Sequence, residues 1–242
     1  MNEQVAIQHL LNATETHLRN DAFRLAQTDQ RDLALRFAEE LRDEFDRPSV
    51  LSNTPSHPVR GLRHAPVLFD DAPCPPQNLF EAALSAFPYA RWSEFYEETI
   101  WSQSFISNFA TGECVGPSGR LHSDHVILGL FILGPETHYP AHAHAAEEFY
   151  IVIAGEAEFQ GGVASDFIIK RPGDVILHAS NMSHAIRTSS KPLFAVYGWR
   201  GALSEPSWYR DDMADENESK KFPAFAKTIT KNENENRRGI FF

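Results

Sequence analysis

Between Thr28 and Arg47, apolar side chains recur at Leu33, Phe37, Leu41 and Phe45, one every four positions. That spacing lays a single greasy stripe along a helix, with Thr28 and Asp29 as its caps and Pro48 as its stop. Helices are expected across residues 3–47. Seven prolines from Pro48 to Pro76 then predict connecting chain without long regular structure. From Asn78 to Trp101 the pattern turns helical and then aromatic, through Phe80, Phe87, Tyr89, Trp92, Phe95, Tyr96 and Trp101. Such density marks core or a subunit contact, or, for some of the rings, the wall of a pocket.

From about Asp124 the texture becomes β-rich. Short apolar runs occupy residues 126–133, 148–154, 156–159, 166–170, 174–178, 184–188 and 192–198, punctuated by Gly134, Gly155, Gly161, Gly162, Pro172, Gly173 and Pro192. Many short strands with turns between them and no helical period predict an all-β sandwich or barrel. Beyond Trp208 the chain is polar, with ENESKK and KNENENRR, and is expected to wrap the surface or to be partly disordered. The final Ile240, Phe241 and Phe242 are candidates to dock. The predicted organisation is a helical and loop-rich region over 1–110 packing on the barrel, a β-barrel over 111–210, and a polar tail over 211–242.

Composition narrows the function classes. Hydrophobic residues are 42% and charged residues 23% of 242, as in ordinary globular chains. The longest apolar run, Val126 to Leu133, is eight residues, against the ~20 a membrane helix needs. The first residues lack a basic start and a long apolar stretch, so no secretory signal and a cytoplasmic location are expected. A net charge of −11 repels a phosphate backbone, which argues against a nucleic-acid partner. No basic amphipathic segment suits an anionic membrane. Cys74 and Cys114 have no close Cys neighbour, so neither a disulfide framework nor a thiol zinc site is expected.

The eleven histidines matter through their placement. In an extended strand, residues two apart share a face, so His142 and His144 project together. Ala145 and Ala146 permit a tight reversal, Glu148 opens the next run, and Tyr150 shares its face. Two imidazoles and a carboxylate suit a divalent first-row metal such as zinc, iron, manganese or nickel. A third imidazole is expected from another strand, and His184 is well placed to supply it. His138 and His178, beside these motifs, read as outer-layer or surface residues. Glu147 alternates off the Glu148 face and reads as a solvated neighbour.

The spacing HxHx3Ex6G, here His142, His144, Glu148 and Gly155, resembles the first motif of the cupins, and PGDVILHASNMSH, ending at His184, resembles the second. That resemblance implies a mainly β fold, the double-stranded β-helix barrel, gripping one metal ion through His142, His144, Glu148 and His184. Within the cupins, Tyr139-Pro140-x-His142-x-His144-x-Ala146-Glu147-Glu148-x-Tyr150, with His184-Ala185-x-Arg187-Thr188 and Trp199-Arg200-Gly201, is similar to the bacterial dimethylsulfoniopropionate lyases. The likeness implies a helical N-terminal region and cleavage of dimethylsulfoniopropionate to dimethyl sulfide and acrylate. It also implies metal contact with the substrate carboxylate, a tyrosine base (Tyr150 or Tyr139), and Trp199 and Tyr139 as aromatic substrate contacts. Phe159 and Gln160 follow Glu158 where that family has a Trp, and the tail from Arg210 has no counterpart in it.

The partner expected is therefore a small zwitterionic substrate, with a homodimer left open by the aromatic segment. Two rival readings use the same residues: a cupin dioxygenase with iron in the three-His-plus-Glu set, and a non-catalytic metal- or ligand-binding cupin.

Overall fold

The run VILGLFIL shows no alternation because both of its faces are covered. In the computed structural model it forms one strand, β4 (Val126–Leu133), buried along its whole length. Leu128, Leu130 and Ile132 point toward helices, whereas Ile127, Phe131 and Leu133 point into a second core inside a barrel. The structure describes residues 1–47, 49–52, 56–70, 76–93, 103–162, 165–205 and 207. The tail over 211–242, Cys74, Phe95, Tyr96 and Trp101 lie outside the described residues.

Five α-helices are described: α1 (Glu3–Ala22), α2 (Thr28–Asp46), α3 (Ala65–Asp70), α4 (Gln77–Ala86) and α5 (Gln103–Asn108). The strands besides β4 are β1 (Arg91–Ser93), β2 (Phe109–Gly116), β3 (Leu121–His122), β5 (His138–His142), β6 (Glu147–Gly155), β7 (Ala157–Gly161), β8 (Ile168–Lys170), β9 (Val175–His178), β10 (His184–Arg187) and β11 (Leu193–Arg200). One sheet has the order β1-β2-β4-β11-β6-β9, with β3 beside β2; the other has the order β5-β10-β7-β8. The two close on a shared interior, the expected barrel.

Helix α1 begins with Asn2, whose Oδ1 accepts the Val5 N–H at 2.9 Å, satisfying one of the donors a helix start leaves free. Helix α2 buries Leu33, Phe37 and Leu41, with Phe45 partly buried against the same core, so the four-residue stripe is its inner face. Thr28 is the first helical residue rather than the cap; Gln27 holds that position in extended conformation without a side-chain bond. The Phe37 ring meets Phe149 of β6 edge-on, centroids 4.9 Å apart at 81°. Burying a side chain of this size contributes roughly 1.5–3 kcal/mol.

Two elements depart from expectation. The proline-rich stretch contains a 3-10 turn at Arg60–His64 running into α3. Strand β2 begins at Phe109, in a sequence (FATGECVG) whose Gly, Ala and Glu content hides it. The rings of Phe80, Phe87 and Trp92 pack in the layer between helices and sheet, so the aromatic wall of the interior comes instead from Phe105, Phe109 and Phe131. Gly112 makes room for this outer layer, since a Cβ there would lie 2.8 Å from the Trp92 ring.

Strand β2 turns Glu113 inward, opposite Gly129 of β4. Burial pushes its carboxyl up to about 8, opposed by the Ser118 N–H that Oε2 accepts at 3.0 Å. The folded chain therefore keeps a proton that the unfolded chain releases near its ordinary value of 4.5. The stabilisation this gives is complete below that value and is lost as pH rises through 8. Between pH 6 and 9 the wild type should lose on the order of 2 kcal/mol from this group. Glu113→Gln should remove that slope in chemical denaturation followed by circular dichroism; parallel pH curves for the two proteins would contradict the assignment.

Candidate metal centre

Five strand ends meet at one level of the barrel interior. His142 closes β5 opposite His184, which opens β10. Glu148 near the start of β6 pairs with His178 at the end of β9 on one side and with Trp199 of β11 on the other. His144 follows β5 by two residues. All six side chains are buried. Antiparallel pairing thus converts residues up to 51 positions apart, Glu148 and Trp199, into neighbours.

Glu148 sits at the middle of the cluster. Its Oε1 accepts the Trp199 indole N–H at 2.6 Å. Its Oε2 lies 3.1 Å from His178 Nδ1, 3.0 Å from His184 Nε2 and 3.4 Å from His144 Nε2. Burial alone would raise its pKa, but the positive charge that His144 and His184 can carry, with the His178 hydrogen bond, holds it well below the usual carboxylate range. Burial, then the neighbouring His184 and His144, hold His142 well below its ordinary value. Burial, then His184, bring His178 down to about 4. A cation binds such a set when the carboxylate is ionised and the imidazoles are neutral.

The backbone fixes which imidazole nitrogen faces inward. His142 Nδ1 is 2.9 Å from the Pro140 carbonyl, His144 Nδ1 2.9 Å from that of Ala146, and His184 Nδ1 3.0 Å from that of Met182. A carbonyl only accepts, so each Nδ1 carries a proton, and in the neutral ring each Nε2 keeps a lone pair. The Nε2 atoms of His144 and His184 are buried without a hydrogen-bond partner among the described residues, although both face an anionic oxygen. Lone pairs aimed at a carboxylate repel it; a cation among them turns the contact favourable. Donor atoms of His142, His144 and His184 lie within 4.8 Å of one another, as do those of Glu148, His178 and His184. The donor set therefore fits a metal ion.

A narrow cleft of about 10 Å³ adjoins the cluster, lined by Tyr139, Tyr150, Trp199, His142 and Glu148, with Phe109, Phe131, Thr111 and Tyr197 behind them. That is about the space of one water molecule, so the lining side chains must shift to admit anything larger. Tyr139, whose direction the preceding strand parity could not predict, turns inward and stacks on His142, centroids 4.2 Å apart at 29°. Tyr150 lies in contact range of Phe131, Phe159 and Tyr197. Trp199 lies over His144 at 4.0 Å as well as holding Glu148.

Three assignments change in the structure. His178, read as an outer-layer or surface residue, is inside the cluster and touches Glu148. Glu147 is off the Glu148 face as expected but is gripped by Arg36 at 2.9 Å and by Arg200. Tyr197 was missed, although it lies two residues before Trp199 and so shares its face. Its ring occupies the space above Gly129, where a Cβ would approach it to 2.5 Å. Burial, then the nearby Glu113, raise the Tyr197 phenol well above its ordinary value. His138, by contrast, is exposed at the start of β5.

The two-sheet barrel and its His/Glu cluster have the arrangement that the two cupin-like motifs imply. A family model described as dimethylsulfoniopropionate lyase matches residues 75–195, and the chain belongs to that family. It is 34% identical over 125 residues to the dimethylsulfoniopropionate lyase DddQ of Ruegeria pomeroyi, covering 51% of this chain and 61% of that protein. To DddL of Cereibacter sphaeroides it is 31% identical over 120 residues, covering 48% of this chain and 49% of that protein. The matched region thus spans about half to three fifths of the curated relatives' length. The crystal structure of the Ruegeria pomeroyi DMSP lyase DddQ superposes with a TM-score of 0.61 at 26% identity, covering 87% of this chain and 98% of that one. A structure from a study of the DMSP lyases RdDddP and RnDddQII gives a TM-score of 0.63 at 25% identity, with 86% and 100% covered.

Removing a donor from a buried four-donor set should weaken cation retention sharply. His144→Ala and Glu148→Ala should each lose most of the metal held by the wild type after dialysis, measured by elemental analysis. Full retention in either variant would exclude that side chain as a ligand.

Proposed function

We propose that this protein is a metal-dependent lyase that cleaves dimethylsulfoniopropionate into dimethyl sulfide and acrylate by β-elimination. The observation that carries the reading is the buried cluster of His142, His144, Glu148 and His184 beside a cleft lined by Tyr139, Tyr150 and Trp199, in a chain of the dimethylsulfoniopropionate lyase family. In this reading those four side chains hold one divalent ion, with zinc, iron, manganese and nickel all compatible with nitrogen and oxygen donors. When bound, the ion supplies Lewis acidity to a substrate carboxylate.

The carboxylate needs that help because removing its Cα proton places a second negative charge beside the first. Trp199 and His178 keep Glu148 oriented, so the donor set does not have to reorganise. Tyr150 shares the inward face of β6 with Glu148, and its phenolate oxygen is the proposed base. It takes the Cα proton, the C–H electron pair becomes the Cα=Cβ bond, and the Cβ–S pair leaves with sulfur. The leaving group departs as neutral dimethyl sulfide, so it requires no acid. Tyr139 is the alternative base. In the other assignment it offers, with Trp199, an aromatic surface for the sulfonium, a contact worth roughly 0.5–2 kcal/mol. Tyr197 is the weaker candidate for the base, since burial and the nearby Glu113 favour its neutral phenol.

Purified protein supplied with each metal in turn, under nitrogen, should release dimethyl sulfide into the headspace and acrylate into solution in equal amounts. Turnover without oxygen separates this reading from the dioxygenase one, and silence with every metal would overturn it. Tyr150→Phe should lower kcat by about 10²-fold or more, the scale of general-base catalysis, while retaining bound metal. An unchanged rate would move the base to Tyr139.

A further inference from the structure

His178 is a fifth donor in a cluster whose proposed ligand set uses four. Its Nδ1 lies 3.1 Å from Glu148 Oε2. An ionised carboxylate only accepts, so that nitrogen carries the proton. Its Nε2 is buried with no hydrogen-bond partner among the described residues. On distance alone, His178 could join Glu148 and His184 as a ligand, because their donor atoms fall within 4.8 Å of one another.

Ring orientation decides between the two sets. An imidazole lone pair lies in the plane of its ring. The His178 and His184 rings are stacked, centroids 3.9 Å apart and planes within 14° of parallel. In-plane lone pairs of two stacked rings run side by side and do not meet at one ion. The rings of His142 and His144 cross that of His184 at 62° and 75°, so their planes intersect and their Nε2 lone pairs can converge. The same His178 ring is placed to act on Glu148, which it faces across the β6–β9 pair. Trp199 holds the other carboxylate oxygen, so the two donors grip Glu148 from both sides.

We propose that His178 is a positioning residue, not a ligand: its Nδ1–H holds Glu148 Oε2 toward the Nε2 atoms of His144 and His184, and so sets how tightly the four-donor set binds a divalent ion. This rests on reading the cluster as a metal centre, and is independent of the substrate. The test is chelator competition with Co²⁺, read together with the visible cobalt absorption. His178→Ala should weaken Co²⁺ binding by about 10–100-fold, as loss of an outer partner does at other metal sites. His178→Asn returns an N–H at the position of Nδ1 but removes Nε2. It should restore affinity to within about threefold and give the wild-type cobalt spectrum. Wild-type affinity in the Ala variant would overturn the proposal. So would an Asn variant whose cobalt spectrum loses a nitrogen ligand, because His178 would then be a ligand itself. Wild-type protein with no measurable Co²⁺ affinity would instead remove the metal reading on which both proposals stand. If the Ala variant does not fold, the affinity and spectrum of the Asn variant decide alone.

Discussion

An ionised carboxylate at the centre of a closed barrel is the constraint around which this structure is arranged. Leaving Glu148 buried and unpaired would cost several kcal/mol, yet only 2% of its surface is exposed. Its oxygens are met by the Trp199 indole, the His178 imidazole and the inward faces of His144 and His184. Those partners come from β11, from β9, from the turn after β5 and from β10. Each strand must therefore stop at the same level as the others, which ties strand length and register directly to the chemistry of the centre. A one-residue slip in β11 would carry the Trp199 indole to the opposite face and leave Oε1 without its donor.

Alternation along the strands lets the same segment serve both sides of the sheet. Glu147, Phe149 and Arg200 face outward to the helices, while Glu148, Tyr150 and Trp199 face inward. On the outer side Arg36 of α2 and Arg200 both grip Glu147, Arg200 lies over Phe37 at 6.0 Å, and Phe37 abuts Phe149. Partly exposed ion pairs of this kind contribute only about 0–1 kcal/mol. The greater part of the holding force is thus the burial of the two phenylalanines, with the charges setting orientation. The helical layer consequently fixes the β6–β11 pair at the residues on either side of the candidate centre.

Much of this was legible in the chain. A run such as VILGLFIL maps onto β4 residue for residue because unbroken apolar character and β-branching leave few other conformations. The His142–His144 spacing declared a shared face, and the structure brings Glu148 and His184 to the same level. What sequence could not supply was the relation between distant strands. His178 lies six residues before His184, and no local rule says that the turn between them folds its ring flat against the other. Strand β2 was hidden because Ala110, Gly112, Glu113 and Gly116 have low strand preference, and tertiary pairing with β4 overrides it. The rings from Phe80 to Trp92 looked equally suited to a pocket or to a core, since aromatic character does not indicate which side of a sheet a residue will meet.

The three tyrosines of the cleft show how environment can separate side chains that sequence makes equivalent. Tyr197 and Tyr150 are cross-strand partners on β11 and β6, and both point inward. Tyr197 leans over Gly129 toward the side of the barrel that holds Glu113, where burial and nearby acidity disfavour the phenolate. Tyr150 stands two residues from Glu148, and Tyr139 lies against His142, so a cation held by those donors would favour the phenolate at either one. The proposed elimination needs such a split: one phenol able to give up its proton beside the substrate, in an interior that does not ionise the others. In that reading the cation would sit at one level of the barrel and Glu113 at another. The glycine between β2 and β11 lets Tyr197 occupy the acidic side.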